Sequence, residues 1–167
     1  DQKERAATHS TFGITHLAPL GRLQEALREV RRAYELDPLS LRINNAVALC
    51  YYYLRQYDQS IDQFHKTIQL DPNFALAHLY LGYAYAEKRM YSDAIDALRS
   101  QPTQLWEGPN LGALGYVYAQ SHKPEEVRNL MQIWQARASS MTESASAGNA
   151  VWFYLGRGQT NDVFYWL

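Results

Sequence analysis

Apolar residues recur at helical spacing along almost the whole chain, and short polar or proline-containing breaks divide the pattern into helix-length segments. Residues 1 to about 17 open polar, DQKERAATHST, and then place Phe12, Ile14 and Leu17 together, which predicts a first helix. Pro19 ends it, because proline lacks a backbone donor and disfavours a helical residue before it, and Gly21 marks the turn. Leu23, Ala26, Leu27, Val30, Ala33 and Tyr34 make the apolar face of a second helix that closes at Asp37-Pro38. A third helix over about 40–54 is apolar most of the way round, as an inner helix packed on two sides should be. Further helices are expected over about 57–70, 74–88 and 91–101. The stretch QPTQLWEGPN then reads as an irregular connector, with Trp106 covering an exposed seam. A seventh helix spans about 109–121, and an eighth starts at Pro124, a residue suited to a first helical turn. SSMTESAS, residues 139–146, is a small polar link or a weak helix start. A ninth helix carries Ala147, Ala150, Val151, Phe153 and Tyr154 and breaks at Gly156 and Gly158. Thr160 caps a last helix with Val163, Phe164, Trp166 and Leu167. Strand signals are weak throughout.

The segments repeat. LQEALREVRRAYELDP, ending at Pro38, has the cadence of YDQSIDQFHKTIQLDP, ending at Pro72. Leu17, Tyr51 and Tyr85 stand 34 residues apart, and Tyr118 and Tyr154 follow at steps of 33 and 36. A fixed period of this length means stacked copies of one helical hairpin, none of which buries its apolar face alone.

The positions inside the period resemble the tetratricopeptide repeat, whose pattern is W-x2-L-G-x2-Y, then A-x3-F, then P. One copy reads His78-x2-Leu81-Gly82-x2-Tyr85, then Ala94-x3-Leu98. The copy before it reads Asn44-x2-Val47-Ala48-x2-Tyr51, then Ser60-x3-Phe64, then Pro72. Leu111-x2-Leu114-Gly115-x2-Tyr118 with Val127-x3-Met131 follows, and then Ala147-x2-Ala150-Val151-x2-Tyr154 with Val163-x3-Leu167. The first copy is degenerate: Ser10-x2-Gly13-Ile14-x2-Leu17, then Ala26-x3-Val30, then Pro38, with Ile14 in the small-residue position. Gly82 and Gly115 let two helices approach closely, Ala48 and Val151 less tightly, and the four tyrosines fill the space to neighbouring helices. The resemblance implies an all-α fold, a right-handed superhelical solenoid of about four to five helix-turn-helix repeats. It would run as one domain over 1–167, with repeats at roughly 7–40, 41–74, 75–107, 108–142 and 144–167, the first and last degenerate or incomplete.

A narrower likeness is carried by ELDPLSLRINNAV, LDPNFALAHLYLGYAYAEKRMYSDAI and LGRGQTNDVFYWL. These look like the repeats that follow kinase or winged-helix modules in bacterial signalling proteins, though no kinase or winged-helix motif is present. The chain opens at Asp1 without a methionine and stops at Leu167 inside an apolar pattern, so it is expected to be a fragment or a processed product.

Composition narrows the function classes. The 167 residues carry a formal net charge of -1, which supplies no global field for nucleic acid or acidic lipid. Cys50 is the single cysteine, so no internal disulfide forms, and it reads as core rather than nucleophile. No apolar run reaches the ~18 residues of a membrane span. A cytoplasmic protein without membrane insertion is expected. Arg28, Arg31 and Arg32 lie among Glu25, Glu29 and Glu35 and read as a solvated face with ion pairs one turn apart.

In such a stack the first helix of each hairpin lines a concave groove. Arg42, Asn45, Leu49 and Tyr52 are the groove-facing residues of the third helix, and Leu79 and Tyr83 belong to the fifth. Tyr116 and Trp152 extend the set, so that Tyr52, Tyr83, Tyr116 and Trp152 form an aromatic stripe. Two readings stand. The stripe contacts a partner, since Tyr and Trp are enriched at interaction hot spots, or it closes the superhelix on itself. Family members that clamp acidic C-terminal tails use basic residues and asparagine. Only Arg42 and Asn45 are of those types, with Leu76, Leu79, Pro109 and Gly112 at the later equivalents, so no preference for such tails is expected.

Catalytic and metal chemistry find no support. His9, His16, His65, His78 and His122 show no H-x-x-x-H or H-E-x-x-H spacing. No G-x-S-x-G, Walker loop or dinucleotide fingerprint occurs, and Asp58, Asp62 and Asp93 fall on outer helices. The leading reading is a non-catalytic scaffold, without cofactor or metal, that binds a protein or peptide segment in an aromatic concave groove. The alternative is a regulatory or assembly module of a larger bacterial signalling or transcription protein, acting in cis or by self-association through an uncapped C-terminal end. A nucleic-acid reader would want a basic groove, and this one reads neutral and aromatic.

Overall fold

The computed structural model describes residues 1–100 and 109–137. The connector with Trp106, the link over 139–146, the last two expected helices and Trp152 lie outside the described residues. The chain divides into two compact units, Asp1–Lys88 and Arg89–Leu167. The described residues are all helix, turn and loop, with no strand.

The first unit holds α1 (Gln2–Thr11), a π-helical segment (Phe12–Leu17), α2 (Leu23–Leu36), α3 (Leu41–Tyr53), α4 (Tyr57–Leu70) and α5 (Ala75–Glu87). The second holds α6 (Tyr91–Arg99), α7 (Pro109–Gln120) and α8 (Pro124–Arg137). Within each unit, helices adjacent in sequence pack on each other. In the first unit α3 also touches α5 and α1, so the leading helices of successive hairpins lie side by side. The periodicity places α4 at its observed bounds, and the other described helices from α2 onward fall within one or two residues of expectation.

Two details differ in the first hairpin. The expected first helix widens into a π-helix for its final residues, and the Ala18 N–H bonds to the Gly13 carbonyl five residues back at 3.0 Å. The small-residue position is Gly13, not Ile14. Gly13 is buried, and a Cβ on it would lie 3.0 Å from both the Ala26 carbonyl oxygen and Val30 Cγ1. A wide turn takes up an extra residue, so counting at a uniform period slips by one.

The core follows the apolar faces. Leu17, Ala26, Leu27, Val30, Ala46, Val47 and Cys50 make one buried cluster, and Ala6, Ala33 and Ile43 make another. Cys50 is fully buried, and burial pushes its thiol pKa up to about 12, which suits a packing residue and not a nucleophile. On the outer face of α2, Arg22 and Arg28 pair with Glu25, and Arg32 pairs with Glu29 at 2.8 Å. Asp58, Asp62 and Asp93 are exposed, and Asp58 pairs with Lys88.

Polar ties fix the junctions between hairpins. The Asn44 amide donates to the carbonyls of Pro38 at 2.7 Å and Ser40 at 2.9 Å. Its Oδ1 accepts from Gln63 Nε2 at 2.7 Å. One period later, His78 Nε2 lies 2.9 Å from the Pro72 carbonyl, so it carries the proton and donates. The repeat pattern has tryptophan at this position; here it is occupied by hydrogen-bonding residues that hold the preceding proline carbonyl. Inside the second hairpin, Ser60 Oγ donates to the Ala48 carbonyl at 2.9 Å, joining α4 to α3.

The turns within hairpins also recur. Gly21, Arg55, Arg89 and His122 have φ of 73°, 59°, 59° and 57°, at steps of 34, 34 and 33 residues. The next residue's N–H reaches back five residues in three of them, Arg22 to Leu17, Gln56 to Tyr51 and Lys123 to Tyr118, at 2.9–3.0 Å. This is a helix C-terminus closed through a left-handed residue.

Candidate functional site

The leading helices of the first unit expose a largely apolar cavity of about 550 Å³. Ile14, Ala18 and Leu23 wall one side, Leu49 and Tyr53 come from α3, and Tyr80 comes from α5. The volume falls in the ~300–1,000 Å³ range of ligand clefts. Tyr53 is 49% exposed and stands at the rim.

A tyrosine cluster borders this cavity, with Tyr80 at its centre. Its ring lies 6.4 Å from Tyr52, 5.7 Å from Tyr83 and 6.3 Å from Phe64, edge-on to the first two and stacked on the third. Tyr52 also meets Tyr53 at 5.5 Å and Tyr57 at 5.8 Å. Each such pair contributes about 0.5–1.5 kcal/mol beyond area burial, so the cluster is a stiff surface. Burial raises the Tyr83 pKa strongly, with the Tyr80 and Tyr52 hydroxyls adding to it, and it raises that of Tyr53 as well.

Of the groove residues expected from the sequence, Leu49 lines the cavity, and Tyr52 and Tyr83 meet through Tyr80. Arg42 is exposed on the first turn of α3. Asn45 and Leu79 are buried, at 7% and 6% exposure, so neither offers much contact area. Asn45 Oδ1 is an orphan acceptor, buried without a hydrogen-bond partner. Asn45 shares the face of Leu49 and Tyr53 at successive steps of four residues. Tyr116 is partly buried on α7 in the second unit, and Trp152 lies outside the described residues.

Tyr53 and Tyr80 are the cavity residues that the groove assignment leaves out. A helical-wheel signal marks both. Tyr53 is one turn beyond Leu49, and Tyr80 is one turn before Tyr83.

No group of three or more potential metal-ligating side chains comes together among the described residues. None of their helices is long and apolar enough to cross a membrane.

Comparison with known proteins bears on the repeat itself. A TPR repeat family model matches residues 48–88, which take in the end of α3 and all of α4 and α5. Tetratricopeptide repeat protein 13 of Homo sapiens is 28% identical over 83 residues, 50% of this chain and 10% of that protein. The chain thus spans about a tenth of the length of this curated relative. Among solved structures, a thermophilic TPR protein of Thermus thermophilus aligns with a TM-score of 0.75 at 17% identity, covering 96% of this chain and 87% of that one. The Pseudomonas aeruginosa pilF structure gives 0.74 at 21% identity, covering 98% and 77%. MamA from Desulfovibrio magneticus RS-1 gives 0.70 at 15%, covering 97% and 90%. At these identities the structures establish the fold and nothing finer. The chain has the all-α helical-repeat fold, and its residues 48–88 match the TPR repeat family, a scaffold that generally mediates protein–protein interaction.

Proposed function

We propose that this chain is a non-catalytic adaptor that binds a protein or peptide segment against the leading helices of its hairpins. The observation that carries the reading is the cavity between Leu49, Tyr53 and Tyr80, apolar in its walls and bordered by tyrosines. An apolar side chain of the partner fills it, and the Tyr53 and Tyr80 hydroxyls meet polar atoms of the partner backbone. Tyr52 and Tyr83 extend the aromatic surface of the first unit, and Arg42 and Tyr116 belong to the proposal as further partner contacts. Nucleic acid is not the proposed ligand. A cytoplasmic setting belongs to the proposal, since the lone buried Cys50 asks for no oxidising compartment.

The test is affinity capture with the native chain beside Leu49→Gln plus Tyr53→Ala, the variant first shown helical by circular dichroism. A partner retained at least tenfold better by the native chain, and cross-linked to α3 or α5, is the expected result. Equal retention by both baits would remove the groove from the contact. Action within a larger regulatory protein is a second reading, favoured by a curated relative of which the match spans only 10%. It requires that the captured segment come from the parent chain.

A further inference from the structure

The second unit carries a different cavity, of about 910 Å³, formed where the α7–α8 turn meets the start of α6. Four cationic or protonatable side chains line it: Arg89, His122, Lys123 and Arg128. Among the described lining residues there is no carboxylate. Arg128 is paired with Glu125, while Arg89, His122 and Lys123 make no ion pair among the described residues. Lys123 Nζ stands 5.9 Å from the centroid of the Tyr118 ring, which helps to hold the ammonium in place. Tyr91, Val127 and Met131 provide an apolar floor.

Arg89 and His122 both occupy the left-handed turn position, where an L-residue costs about 1–2 kcal/mol and glycine would be the easy choice. Gly21 is that choice in the first repeat. Arg55 shares the conformation in the first unit, so the backbone shape belongs to the repeat. What distinguishes the second unit is that two such residues face one cavity beside a lysine.

We infer that this cavity docks an acidic segment of a partner protein, one that places an apolar side chain beside its carboxylates. Charge complementarity argues for it: cations at the rim, none of the described lining residues acidic, and an apolar floor that fits a leucine or valine. The same features argue against a polynucleotide. A single-stranded nucleic acid wants a row of stacking rings along a basic track, and among the described lining residues Tyr91 is the one phenol. The lining of this cavity includes none of the residues of the groove proposed above.

The experiment is fluorescence anisotropy with the full chain and a short labelled peptide that alternates glutamate pairs with leucine. A lysine-for-glutamate version is the charge control, and an oligouridylate of similar length is the nucleic-acid probe. The peptide is expected to bind, to weaken as salt rises, and to lose about tenfold in affinity on Arg89→Gln plus Lys123→Gln, about 1.4 kcal/mol. Both residues are exposed, so the variant folds, and its circular dichroism melt should overlay that of the native chain. Leu49→Gln in the first unit should leave the affinity unchanged. Failure of the native chain to bind the peptide overturns the inference. So does equal binding by the double variant, loss on Leu49→Gln, equal binding of the lysine control, or tighter binding of the oligouridylate.

Discussion

At the scale of single residues, Gly13 shows how little room the first hairpin leaves. A methyl group there would press on the Ala26 carbonyl, which is fixed in α2, and on Val30, which is fully buried. Gly13→Ala should therefore destabilise the protein by about 1–3 kcal/mol, the usual cost of overpacking. A urea titration checks this, and an unchanged midpoint would mean that α2 can shift to make room. The residue also marks where sequence reading slipped. A glycine belongs in this slot and the chain supplies one, but a count at constant period assigns Ile14, because nothing in the local residue types announces a π-helical turn. Tyr53 and Tyr80 were missed for a related reason. A groove list drawn from a few fixed positions ignores how far a tyrosine ring reaches across to the next helix.

At the scale of elements, helix positions were the most legible feature. Apolar spacing and the Asp-Pro breaks place them, and these signals are local. The polar ties were less legible because they join residues whose pairing needs the fold. A hint was present even so: Asn44 and His78 both stand six residues after a proline, in a slot where the repeat pattern puts tryptophan. Asn44 is almost fully buried, and its amide serves two carbonyls and Gln63 at once. Asn44→Ala leaves the Pro38 carbonyl and the buried Gln63 amide without this partner, while the Ser40 carbonyl keeps its bond from the Asn44 backbone N–H; it should cost about 1–3 kcal/mol, the penalty of an unsatisfied buried group. Thermal melting measures it. Asn44→His should recover part of the loss if the two residue types do the same work, and no recovery would show that Gln63 needs the amide oxygen.

At the scale of the whole molecule, burial gives the protein an alkaline limit. The Cys50 thiol and the Tyr83 and Tyr118 hydroxyls all hold their protons more firmly when folded, chiefly through desolvation. Their folded pKa values lie above the unfolded ones, so the unfolded chain sheds protons first as the pH rises. Stability is therefore whole below the unfolded values, 9.0 for the thiol and 10.0 for tyrosine, and declines above them. Denaturant midpoints measured from pH 8 to pH 11 should fall beyond about pH 9. Tyr83→Phe should flatten part of that fall; a profile identical to that of the native chain would mean that Tyr83 ionises as easily folded as unfolded.

The shared tie at Asn44 and His78 bears on how such a chain can change in length. Each tie spans a short junction, from Pro38 to Asn44 and from Pro72 to His78, and the donor reaches its carbonyl only when the intervening backbone has that one length. A residue added or removed there would pull the donor away from its carbonyl and break the bond. Insertions and deletions among relatives should thus avoid these junctions, leaving the register between hairpins as the inherited constant.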